Sequence, residues 1–172
     1  MSDATVLSRF LHYVSFDTQS ACESDSAPSI AKQLKLAEAL VAELKAMGID
    51  DALLGTGGVV YASIPATAGC ETSPAVGFIA HMDTSPDAPG ADVKPRVIRF
   101  TGTDVTLNEK EGLVFSTDQF PEIKKYAGED IVFTGGMNFH GVYECIPVKS
   151  LEKAADVAVK LAELSAEIKS LA

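Results

Sequence analysis

The chain has 172 residues, of which 47% are hydrophobic and 22% are charged, so it is long enough for one domain with a core of its own. Its net charge of −10 argues against nucleic acid and anionic membrane surfaces as partners, because both would repel it. The three cysteines, Cys22, Cys70 and Cys145, form no CxxC pair, and no signal peptide or membrane-spanning apolar run is present. These features predict a reduced, cytoplasmic protein without a membrane partner.

Apolar periodicity predicts three long or medium helices. The first covers residues 5–16, and the second is capped by Ser29 and runs to residue 47, where Gly48 ends it. The third is capped by Ser150 and runs to residue 171 with an apolar stripe along one face.

Short apolar and β-branched runs between these helices predict strands. Residues 75–80 are apolar on both faces, which is typical of a central strand covered on both sides. The other predicted strands are 51–54, 59–64, 97–100, 105–107, 129–134 and 143–147, with a short helix at 120–126. This order predicts one α/β domain over residues 1–172, in which a sheet is layered with helices.

The histidines are the residues most suited to chemistry. His12 lies on the first predicted helix without an acidic residue one turn away, which favours a structural position. His81 follows the apolar run 75–80, at the strand end where α/β sheets bind ligands, and Asp83 lies two residues further on. A carboxylate can orient a metal-binding imidazole, but the same pair also occurs as a purely structural contact.

Other polar patterns have simpler interpretations. His140 lies among Gly135, Gly136 and Gly141, so a tight turn explains it as well as a ligand role does. Residues 55–58 are glycine-rich but lack the Lys-Ser/Thr of a phosphate loop, and Asp50-Asp51 fits a solvated turn. Cys145 is interpreted as a buried thiol without a catalytic partner.

Several segments, taken in chain order, match one known family. They are FLHYVSFDTQS (10–20), MGI (47–49), GFIAHMDTSPD (77–87), FPEIKKY (120–126), DIVFT (130–134), GGMNFHG (135–141) and ECIPV (144–148). Together they resemble the tripeptide aminopeptidases of the M20 family of zinc metallopeptidases. Residues 1–134 resemble the amino-terminal part of that family, and residues 135–172 resemble its extreme carboxyl end.

The resemblance implies a two-zinc site that releases the N-terminal residue from tripeptides. By this resemblance His81 is a ligand of one zinc, His140 is a ligand of the other, and Asp83 orients His81. The family also has an Asp that bridges both metals, a Glu-Glu pair that supplies the general base and a ligand, a further Asp ligand and an inserted lid domain. None of these has a counterpart here, and no two glutamates are adjacent in the sequence.

The missing carboxylates predict a reduced catalytic domain that binds zinc weakly or in part and has lost most or all activity. A catalytic zinc needs about three protein ligands, and the attacking water needs a base. The alternative is a non-catalytic module that binds a metal or a peptide, or serves in assembly. Completion of the site by partner chains is disfavoured, because every copy lacks the same carboxylates. Exposed sheet edges predict a homo-oligomer.

Overall fold

The computed structural model describes residues 5–86, 89–134 and 143–166. Within these residues the helices are α1 (Val6–Tyr13), α2 (Leu34–Ala46) and α3 (Val148–Ala166), with 3₁₀ turns at Ala31–Gln33, Thr56–Gly58 and Pro121–Tyr126. The strands are β1 (Leu53–Leu54), β2 (Val60–Tyr61), β3 (Arg96–Arg99), β4 (Val105–Asn108), β5 (Leu113–Phe115), β6 (Asp130–Phe133) and β7 (Cys145–Pro147).

The strands form small antiparallel sheets. β1 pairs with β2, β4 pairs with β5, and β6 lies between β3 and β7. The predicted mixed α/β class is therefore confirmed. The single layered sheet is wrong for the described residues, because their strands divide among three separate antiparallel sheets of two or three strands each.

The prediction of a buried central strand at residues 75–80 is also wrong. This segment forms no ladder with any described strand, and Phe78 and Ile79 are 59% and 100% exposed. An apolar run shows what a segment would bury if it were covered, but its neighbours decide whether it is covered. Here the described residues supply no strand beside it, so its apolar side chains stay in solvent.

The main hydrophobic core surrounds the three-stranded sheet. Phe133 on β6 is fully buried and meets Phe115 edge to face, with ring centroids 5.4 Å apart. Phe120 stacks on the Phe115 ring at 4.9 Å. The buried members of this cluster are Phe100, Leu107, Phe115, Ile123, Ile131 and Phe133. Ile131, Val132 and Phe133 of β6 have no exposed surface, so this strand is covered on both faces as well as paired at both edges.

The starts of α2 and α3 depart from the predicted caps, and no cap was predicted for α1. Thr5 caps α1, accepting a hydrogen bond from the Ser8 amide at 3.1 Å. Ser29 does not cap α2, which begins only at Leu34 after the 3₁₀ turn, and α3 begins two residues before Ser150.

None of the described helices combines the length and the apolar character needed to cross a bilayer.

A polar contact joins α1 to α2. The Arg9 Nε donates to Glu43 Oε1 at 2.6 Å, and the Tyr13 hydroxyl donates to the other carboxylate oxygen. Burial and the hydrogen bond to Glu43 raise the pKa of Tyr13 to about 12. The hydrogen bonds from Tyr13 and Arg9 lower the pKa of Glu43. The contact is therefore strongest with Tyr13 protonated and Glu43 ionised.

This contact predicts an alkaline limit on the packing of α1. Tyr13 contributes stability that is fully present below the ordinary tyrosine pKa of about 10 and is lost as the pH rises through about 12. Tyr13→Phe should remove this loss of stability when the free energy of unfolding is measured by urea denaturation between pH 9 and about 12. Tyr61→Phe, at a residue that is 55% exposed, is the matched control and should show the same loss of stability as wild type. Identical profiles for wild type and Tyr13→Phe would contradict the prediction.

Candidate functional site

The candidate site centres on two side chains that directly follow the exposed segment 75–80. His81 Nδ1 lies 3.1 Å from Asp83 Oδ1, and the two side chains are 62% and 47% exposed. An imidazole whose Nδ1 faces a carboxylate is oriented to bind a metal through Nε2. At this exposure the contact itself contributes little to stability.

The residue after this pair is firmly placed. Thr84 is only 6% exposed and forms an isolated parallel bridge with Gln19. Its amide donates to the Thr18 carbonyl at 3.1 Å, and its carbonyl accepts from the Ser20 amide at 2.9 Å. The loop that contains Thr18 and Ser20 therefore fixes the chain next to Asp83.

His81 and Asp83 also line a groove of about 760 Å³. Its walls come from residues 26–29, from residues 33, 34 and 40 in or just before α2, from the turn and strand at residues 57–61, and from residues 78–83. Apolar side chains dominate these walls, including Leu34, Leu40, Val59, Val60, Tyr61, Phe78 and Ile79. The groove thus offers an apolar surface with one imidazole–carboxylate pair among its lining residues.

The remaining predicted ligand, His140, lies outside the described residues. Over residues 5–86, 89–134 and 143–166, no three His, Cys, Asp or Glu side chains come together in a way that could hold a metal ion. A catalytic zinc takes about three protein ligands. The described residues therefore fit one ligand of such a site and its orienting carboxylate, but not a complete site.

Two patterns interpreted as turns prove to be turns. Residues 56–58 form a 3₁₀ turn in which Gly57 has a φ of +74°, a conformation that favours glycine. Asp51 lies in a turn, where hydrogen bonds from the Ser63 hydroxyl and amide lower its pKa.

The other candidate side chains also have structural positions. His12 packs against Phe16, with ring centroids 5.1 Å apart. Burial, and secondarily Glu144, raises the pKa of the Cys145 thiol to about 11, so this cysteine is a poor nucleophile at neutral pH.

Sequence reasoning missed Gln33, a buried side chain that contacts the loop beneath the site. Its amide nitrogen lies 3.2 Å from the Thr18 carbonyl oxygen. No motif points to it, because a glutamine at the start of an amphipathic helix resembles any solvated polar residue. The groove was missed for a different reason: its walls come from segments that are distant in sequence.

Comparison with known proteins shows that this chain is similar to peptidases. Three curated relatives are each called Peptidase T, and each is similar to this chain over 80% or 92% of the chain's length. The Peptidase T of Parabacteroides distasonis is 46% identical over 137 residues, which are 80% of this chain and 34% of the relative. Those of Alkaliphilus oremlandii and Clostridium botulinum are 38% and 39% identical over 92% of this chain and 39% of each relative.

The chain therefore spans little more than a third of the length of the curated relatives it matches. No protein-family model matches the chain.

Proposed function

We propose that this chain carries part of the zinc site of a tripeptide aminopeptidase, with His81 and His140 as ligands and Asp83 orienting His81. Homology to Peptidase T supports the peptidase class, and the 3.1 Å contact between His81 and Asp83 supports the orienting role. Zinc, when bound, would polarise a peptide carbonyl and activate water. The setting we propose is the cytoplasm, and the substrates are tripeptides.

We further propose that the chain by itself has little or no peptidase activity and represents a reduced catalytic domain without a lid. The reason is chemical: the sequence has no Glu-Glu pair to supply a general base. One well-placed acid–base group is worth roughly 10²–10⁴-fold in rate, so its loss alone would remove most of the rate enhancement. Without bridging carboxylates, two zinc ions would also repel each other with little compensation.

A second candidate function is assembly. Val76, Phe78 and Ile79 are 44%, 59% and 100% exposed, in a stretch whose only ionisable side chain between residues 72 and 82 is His81. An uncharged, apolar and unpaired segment invites pairing with another chain. This observation favours a homo-oligomer formed through residues 75–80, with a non-catalytic role in binding or assembly.

Zinc content and tripeptide hydrolysis, measured on the same purified sample, test the proposed function. We expect zinc well below one ion per chain, a further decrease in the His81→Ala/His140→Ala double variant, and hydrolysis near the buffer rate. The matched control is His12→Ala, since His12 packs on Phe16 and should leave zinc content unchanged.

Two results would contradict the proposal. Equal zinc content in wild type and the double variant would show that His81 and His140 do not bind the metal. Zinc near one ion per chain, together with hydrolysis that the double variant abolishes, would show that the chain completes an active site without the carboxylates considered missing.

A further inference from the structure

Gln33 is a buried polar side chain at the start of α2. It ends the 3₁₀ turn Ala31–Gln33, immediately before α2, and is only 6% exposed. Burying an amide costs free energy unless its hydrogen bonds are made. The contacts of this amide therefore identify what its burial stabilises.

The Gln33 amide nitrogen faces three oxygens around one loop. Its two N–H groups are shared among the Thr18 carbonyl at 3.2 Å, the Gln19 carbonyl at 3.4 Å and the Ser29 hydroxyl oxygen at 3.2 Å. The Ser29 hydroxyl oxygen in turn accepts from the Ala21 amide at 3.1 Å. Gln33 thus bonds the loop of residues 18–21 directly at residues 18 and 19, and it reaches residue 21 through the Ser29 hydroxyl.

The same loop holds Thr84. The Thr18 carbonyl accepts both from Gln33 and from the Thr84 amide, while the Thr84 carbonyl accepts from the Ser20 amide and, at 3.0 Å, from the Ser20 hydroxyl. The buried Thr84 hydroxyl has no hydrogen-bond partner among the described residues. Thr84 is therefore held by its backbone, and its position depends on the loop.

We infer that Gln33 is a positioning residue for the segment 81–84, acting through the Thr18 carbonyl. Asp83 directly precedes Thr84. If the loop of residues 18–21 moved away from Thr84, the Asp83 carboxylate would no longer be held facing His81. The consequence for zinc rests on the proposed function, whereas the effect on Thr84 does not.

A neighbouring contact on the same loop offers a comparison. Lys32 Nζ lies 2.7 Å from Asp17 Oδ1, but both side chains are about 30% exposed. Ion pairs of this exposure contribute little, because water screens them and ordering two side chains costs entropy. Lys32 therefore serves as the matched control for Gln33.

Amide hydrogen exchange of the full chain tests the inference. In Gln33→Leu, which keeps the volume but removes the donor, exchange at Ser20 and Thr84 should accelerate about tenfold or more, since each lost hydrogen bond is worth roughly a few-fold to tenfold. Exchange on β6 should stay at the wild-type rate, because that strand belongs to the separate phenylalanine core. Lys32→Gln should change neither region. Wild-type exchange at Ser20 and Thr84 in Gln33→Leu would overturn the inference.

Gln33→Glu covers the case in which the leucine variant fails to fold. The ionised carboxylate cannot donate to the two carbonyls, whereas the protonated acid can donate one hydrogen bond. Exchange at Thr84, relative to wild type at the same pH, should therefore be faster at pH 7 and partly restored near pH 4. Exchange equal to wild type at both pH values would overturn the inference.

Zinc titration of the same variants separates the two proposals. A wild-type chain that binds no zinc would overturn the proposed function, while faster exchange at Thr84 would still support the positioning role. Zinc affinity that is measurable in wild type and unchanged in Gln33→Leu would instead overturn the role of Gln33 at the site.

Discussion

Phe133→Ala is expected to lower the free energy of unfolding by about 3–5 kcal/mol, the usual cost of removing a fully buried aromatic side chain. Phe133 has no exposed surface and meets Phe115 edge to face on the central strand β6. Truncation would leave a cavity in the cluster that holds the three-stranded sheet together. Since domains of this kind are stable by roughly 5–15 kcal/mol, the loss would be a large fraction of the total.

Urea denaturation followed by circular dichroism measures this loss. Val114→Ala is the control, because Val114 also lies on a strand but is 38% exposed, and its replacement should cost less than about 1 kcal/mol. A loss for Phe133→Ala as small as that of the control would show that the phenylalanine cluster does not carry the stability of the sheet.

Ile79→Lys is expected to convert an assembled chain to a monomer without reducing its stability. Ile79 is fully exposed, so the substitution removes no buried side chain from the described residues. A lysine in an unpaired segment opposes strand pairing, because pairing would bring the charge of each copy into an apolar interface.

Light scattering on size-exclusion fractions, at several protein concentrations, measures the assembly. The control is Ile64→Lys, the same substitution at an 82% exposed position outside residues 75–80, and it should leave the assembly intact. A monomeric wild-type chain would contradict the assembly function. Equal effects of the two lysine variants would show that the contact does not involve residues 75–80 in particular.

Local sequence signals predicted much of the secondary structure. Helical periodicity found α1 and α2, and β-branched runs found β3 and β6, although their pairing could not be predicted. β5 was missed because its three residues, Leu113–Phe115, are all apolar and show no alternation with polar residues. The error at residues 75–80 has a different cause: composition indicates a preference for burial, but only neighbouring strands provide it.

The candidate site shows the same division between local and distant contacts. His81 and Asp83 are two residues apart, so their contact could be anticipated from sequence, while the metal role of His81 and His140 stays a prediction. Gln33 could not be anticipated, because its partners at residues 18 and 19 approach it only once the loop has folded onto the start of α2.

The hydrogen bonds around the Thr18 carbonyl determine which substitutions this region can tolerate. The loop is held through backbone groups: the carbonyls of residues 18 and 19 and the amide of Thr84. Changing the side chain at any of these positions leaves these groups in place. The donor on the other side is the carboxamide of one residue, Gln33. We therefore expect the side chains at residues 18, 19 and 84 to tolerate substitution, and the glutamine at residue 33 to be retained. Nothing in the sequence pattern around Gln33 suggests this difference.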